Sequence, residues 1–150
     1  MAIIDWAALA KLKAEIGAEY PRILGYFRED GVRSIVAIED AMRARDAARV
    51  VRPAHTLKGE SAQFGAEPLR ALSEQIERGA RRCVETHDVP DELLEHVVQL
   101  RPLLQQTLAM LEAHAAPGGG ATTGPVTVLA PGVPRRPQGF GRKIGGFGRG

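Results

Sequence analysis

AHTLKGESAQFGAEPL, residues 54–69, sets bulky apolar side chains at helical spacing and a histidine outside that stripe. At about 100° per residue, Val50, Ala54, Leu57, Ser61 and Phe64 share one side of a helix and should face a core. Ala48, Val51, His55, Gly59 and Ala62 share the opposite side. That second face is small rather than charged, whereas an ordinary solvated face carries charge, so it is expected to be a shallow docking surface centred on His55. Residues three and four apart are neighbours on a helix, so Lys58 reaches the same side as His55 and Gly59 leaves bare backbone beside the ring. An open imidazole with a cation beside it suits acceptance of a phosphoryl group. A lone histidine on a helix is more often a bystander, so its neighbours must carry the argument.

On either side of this segment the same period recurs. Asp46 is placed to cap the central helix, which should run to Phe64 and stop at Gly65, a residue suited to left-handed backbone. Pro53 lies inside it and should loosen the turn that presents His55. Upstream, Asp5 with the Ile4/Leu9 staple predicts a short helix from residue 6 to 16, ended by Gly17. A second helix from Tyr20 and Pro21 to about residue 45 turns Tyr20, Leu24, Phe27, Gly31, Ile35, Ile38 and Met42 inward, with a bend expected near Gly31. Downstream, Pro68 opens a fourth helix whose inward stripe is Leu69, Leu72, Ile76, Ala80 and Cys83. Asp88 should cap a fifth, with Pro90, Asp91 and Glu92 in its first turn, Leu93 to Leu111 supplying inward leucines, and a bend at Pro102. With almost no β-branched alternation, the class is all-α: an antiparallel four-helix bundle with a short additional N-terminal helix.

Two regions differ in kind. Residues 1–115, the expected helical domain, hold 15 basic and 18 acidic residues; residues 116–150 hold five basic and no acidic ones. The overall charge of +2 is therefore set by a tail in which 11 of 35 residues are glycine and five are proline, a composition expected to be disordered. One cysteine, Cys83, allows no internal disulfide and fits a reducing compartment. No basic leader precedes the short apolar run that Asp5 interrupts, and no apolar stretch approaches the roughly 20 residues a membrane span needs. A cytoplasmic monomer is the expectation.

The quoted residues resemble the signature of the histidine-containing phosphotransfer (Hpt) domain, with His55, Leu57, Lys58, Gly59, Ser61, Gly65, Ala66 and Leu69 in register and without gaps. The resemblance implies that His55 carries a phosphoryl group exchanged with the aspartate of receiver domains in response regulators and hybrid histidine kinases. For Nε2 to act as nucleophile, something must accept from Nδ1. Glu77, at the edge of the fourth helix's inward stripe, comes alongside if the two helices form a hairpin; by itself it reads better as a solvated charge paired with Arg81. The resemblance favours the orienting role, because Hpt domains and the phosphoryl-accepting domains of chemotaxis kinases carry Gln or Glu 22 residues after the histidine, as Glu77 does here. Lys58 would then face the phosphoryl oxygens, with Arg81 and Arg52 as weaker candidates for the same electrostatic help.

No Walker loop, glycine-rich nucleotide loop or carboxylate cluster for Mg²⁺ is present in the sequence. The chain is therefore expected to supply a nucleophile and a docking face, not an enzyme's pocket, while the partner supplies the Mg²⁺; no cofactor or metal of its own is expected. Cys83, His87 and His96 are spread too widely for a zinc site. Arginines interleaved with Phe140 and Phe147 suggest the competing possibility, a phosphorylation-independent helical adaptor whose basic tail binds protein or nucleic acid, but five charges fit a tethering extension better.

Overall fold

The computed structural model describes residues 2–114, and every regular element among them is helical. Six helices follow one another: α1 (Trp6–Ile16), α2 (Tyr20–Arg43), α3 (Ala47–Gln63), α4 (Glu67–Thr86), α5 (Leu94–Val97) and α6 (Leu100–Ala113). Short 3-10 turns, Gly17–Glu19 and Pro90–Leu93, precede α2 and α5. The expected disordered tail, residues 116–150, lies outside the described residues.

The bundle consists of α2, α3, α4 and α6, with α3 packed most extensively on α4 and next on α2. Short connections at Arg45 and Gly65 make successive helices antiparallel. Asp46 caps α3 by accepting from the Arg49 N–H at 3.3 Å, and Asp5 caps α1 by accepting from Ala7 and Ala8. The stripe Val50, Ala54, Leu57, Ser61 and Phe64 is fully buried. Phe64 stacks on Phe27 with ring centres 4.7 Å apart, and Tyr20 closes the end of the core by donating to the Leu111 carbonyl. Two buried serines are satisfied within their own helices, Ser61 on the Leu57 carbonyl at 2.7 Å and Ser73 on the Leu69 carbonyl at 2.8 Å.

Gly65 does two jobs at the α3–α4 turn. Its φ of +70° is the left-handed conformation that a side chain resists, and a Cβ there would stand 2.7 Å from the Asp5 carbonyl. The close approach lets the Asp5 N–H donate to the Gly65 carbonyl at 2.7 Å, which fastens the start of α1 to the hairpin.

Several expectations are corrected. The fifth helix is not continuous from Asp88: a 3-10 turn, the four-residue α5 and α6 replace it. Asp88 accepts from the Thr86 hydroxyl, and Val89 stands at the cap position without a side-chain bond. The break follows from packing, because Leu93 lies over Gly79 of α4, where a Cβ would come within 2.3 Å of Leu93 Cδ2. Helix α6 restarts at Leu100, so Pro102 falls in a first turn, where its missing N–H costs nothing, instead of bending a long helix. Helix α2 runs uninterrupted through Gly31, which is buried where a Cβ would sit 3.3 Å from Leu104; small size at a helix crossing accounts for it. It ends at Arg43, two residues short of Arg45, which takes a left-handed φ of 54° and pairs with Asp91.

Candidate functional site

Helix α3 runs unbroken through Pro53 and presents His55 on its outer side, with 62% of the imidazole side chain exposed. Behind the ring stands Glu77 of α4, whose side chain is only 6% exposed. Its position on the hairpin brings three cationic or donor groups onto one carboxylate. His55 Nδ1 lies 3.0 Å from Oε2, and Arg81 donates to the same oxygen through Nε at 3.1 Å and Nη2 at 2.8 Å. Lys58 Nζ stands 2.9 Å from the other oxygen, Oε1, and brings both a donor and a positive charge to it. Glu77 is thus a buried hub, not the exposed-edge charge its place beside the inward stripe suggests. The reason is that α3 and α4 pack closely enough for Lys58 and His55 to cover it.

Burial alone would push the Glu77 pKa up. Contacts with Lys58, Arg81 and His55, and the charge of Lys58, outweigh it and hold the carboxyl at about 2. An ionised carboxylate only accepts, so the proton of a neutral imidazole must sit on Nδ1, leaving the lone pair on Nε2. Among the described residues no hydrogen bond or ion pair engages Nε2, and the side chain that carries it is largely exposed. Chemically this is a nucleophilic nitrogen with its tautomer fixed and two cations held within a helical turn.

Around the ring, Ala48, Gly59 and Ala62 are exposed and Val51 is half-buried. Open space surrounds the missing side chain of Gly59. One end of this face deepens into a hollow of about 280 Å³ lined by Ala48, Val51, Arg81, Val84 and Glu85. Val84, 43% exposed, is a part of the face that the sequence reasoning missed; its signal is an apolar side chain seven residues after Glu77 on an otherwise polar outer surface of α4. Arg52 is exposed one turn before His55, with no ion pair or hydrogen bond among the described residues, and nothing brings it to Glu77. No group of three or more His, Cys, Asp or Glu able to hold a metal ion occurs among the described residues, and no helix there is long and apolar enough to cross a membrane.

The model of the Hpt domain family matches residues 22–115, which takes in the whole hairpin that carries His55 and Glu77. The chain belongs to the Hpt domain family. Hpt domains are phosphocarriers rather than catalysts, and the family assignment gives this chain a histidine phosphotransfer role in phosphorelay signalling. Among solved structures, histidine-containing phosphotransfer protein B (HptB) from Pseudomonas aeruginosa PAO1 is similar, with a TM-score of 0.67 and 23% identity over 75% of this chain and 94% of that one. At that identity the likeness speaks for the Hpt fold. A search of curated proteins found no match. Helix α1, which is fastened to Gly65, precedes the matched region.

Proposed function

We propose that this Hpt domain accepts a phosphoryl group on His55 Nε2 from the phospho-aspartate of a receiver domain and returns it to another. The observation that carries the proposal is the exposed imidazole whose Nδ1 lies 3.0 Å from a buried, ionised Glu77. In the forward step the Nε2 lone pair forms the N–P bond while the P–O bond to the aspartyl carboxyl breaks, and the electron pair leaves on the carboxylate. The proton on Nδ1 stays in its bond to Glu77, which offsets the positive charge the ring gains. Such transfers pass through a loose transition state, so alignment and charge neutralisation do most of the catalysis.

Lys58 would turn its ammonium toward the phosphoryl oxygens, with Arg81 as a second source of positive charge. The partner would supply Mg²⁺ and the catalytic pocket, and it would dock on Ala48, Val51, Gly59 and Ala62. The chain would act as a cytoplasmic monomer, with receiver domains of response regulators and hybrid kinases as partners.

The test is direct. Incubating the protein with receiver domains labelled from acetyl phosphate and Mg²⁺ should place acid-labile, base-stable label on the wild type and none on His55→Gln. Label that persists in His55→Gln, or a wild type that accepts none from any of a broad panel, would end the proposal.

A further inference from the structure

Lys58 and Arg81 already have an anion. Glu77 Oε2 accepts two hydrogen bonds from the Arg81 guanidinium, and Oε1 has the Lys58 ammonium 2.9 Å away. Neither cation is sealed in: the Arg81 side chain is largely exposed, and that of Lys58 is partly so. A phosphoryl group on Nε2 brings close to two negative charges within reach of the same pair, because Lys58 lies one turn beyond His55 and Arg81 borders the hollow beside it. Carboxylate and phosphoryl group therefore draw on one supply of positive charge.

The sign of the effect follows from what changes on phosphorylation. The Nδ1–H bond to Glu77 is present before and after. The ring gains at most one positive charge as the N–P bond forms, and the phosphoryl group adds close to two negative ones. The ring's positive charge lies nearest Glu77 and is attracted to it, which offsets much of the direct repulsion between the carboxylate and the phosphoryl group. What remains is the competition for Lys58 and Arg81, which a carboxylate at 77 withholds from the phosphoryl oxygens.

We propose that Glu77, besides orienting the ring, sets the transfer potential of the phosphohistidine: by competing for Lys58 and Arg81 it weakens the hold of His55 on the phosphoryl group and favours handing it on. This rests on the phosphocarrier function proposed above. A glutamine at 77 keeps an acceptor for Nδ1–H and removes only the charge. It is a positioning residue with a thermodynamic role, since it acts through the two cations and the ring.

The experiment uses the full-length chain, wild type and Glu77→Gln, mixed with whichever receiver domain of the panel labels the wild type, and reads the equilibrium partition of phosphate between receiver aspartate and His55. Glu77→Gln should shift the partition toward phosphohistidine by roughly tenfold, the order expected for one unit charge about 6 Å away at an effective dielectric near 40. The shift should shrink in a Lys58→Met background, because the competition runs through Lys58. An unchanged partition with a slower approach to equilibrium would overturn the proposal and leave Glu77 as a ring holder only; a shift toward the receiver would overturn it too.

A second measurement covers the case in which Glu77→Gln does not fold. In the wild type, phosphorylated with phosphoramidate, the ¹⁵N signal of Lys58 Nζ should move as it leaves Glu77. An unmoved signal would overturn the competition. A wild type that takes no label on His55 from any donor defeats the carrier function itself, an outcome distinct from all of these.

Discussion

Two carboxyl groups of this chain are displaced in opposite directions, and the contrast lies in their neighbours. Glu77 is held at about 2 because His55, Arg81 and Lys58 meet it across the α3–α4 hairpin. Glu60 is pushed up to about 7 by burial first, then by the charge of Asp30 on α2 and a hydrogen bond shared with it. Glu77's folded pKa is depressed, so its contribution is present above about 4.5 and is lost as pH falls toward 2. Glu60's is raised, so its contribution is present below about 4.5 and is lost as pH rises through 7. Thermal midpoints should therefore climb on acidification from pH 8 to about 5 and fall below 4. Glu60→Gln should flatten the upper limb, gaining about 1–2 kcal/mol at pH 8 after allowance for partial exposure; an unchanged limb would remove Glu60 from the account. Glu77→Ala should cost about 1–3 kcal/mol in urea unfolding at pH 7, more than an exposed charge would, because it removes the shared anion of three groups. A loss under about 0.5 kcal/mol would mean that the hub is not buried as described.

At the scale of elements, three glycines in helices and turns look alike in the sequence and differ in what surrounds them. Gly59 faces open space, Gly79 faces Leu93 Cδ2 at 2.3 Å from a would-be Cβ, and Gly65 combines positive φ with the Asp5 carbonyl at 2.7 Å. Gly59→Ala should stabilise α3 by about 0.5–1 kcal/mol, since glycine is a poor helix former and nothing is displaced. Gly59→Leu should fold equally well, accept phosphate normally from phosphoramidate, and accept it at least tenfold more slowly from a receiver domain. Equal rates from both donors would place the docking surface elsewhere. Gly65→Ala should cost about 2–4 kcal/mol and release α1 from the hairpin, readable as faster amide exchange across residues 6–16. Protection that survives there would show α1 to be held by other contacts. Tertiary packing also split the expected fifth helix. Its apolar period persists from Leu93 to Leu111, yet the backbone tightens into a 3-10 turn at Pro90–Leu93 so that Leu93 can drop onto Gly79.

Across the whole molecule, ion pairs at the rim join elements distant in sequence: Arg101 with Glu39, Arg45 with Asp91, Arg82 with Glu92 and Arg28 with Glu112. All have at least one partner substantially exposed, so each is worth little. Raising NaCl from 0.1 to about 1 M should lower unfolding free energy by no more than about 1 kcal/mol, because the buried aromatic and aliphatic core does not depend on screening. A larger fall would assign the rim a role that its exposure does not support.

What the residues determined alone was the helical class, the buried stripe of α3, the caps at Asp5 and Asp46, the stop at Gly65 and the placement of His55 on an outer face. All of these follow from local rules, since period, cap chemistry and left-handed backbone act within a turn or two of chain. The hairpin and the family resemblance already brought Glu77 beside His55; only the tertiary structure decided that it is buried there with Lys58 and Arg81 gathered on it, that Val84 extends the face around His55, and that the last long apolar segment is three pieces. Those outcomes depend on how closely two helices approach, which is set by side chains tens of residues apart, and no pattern within one helix encodes that distance.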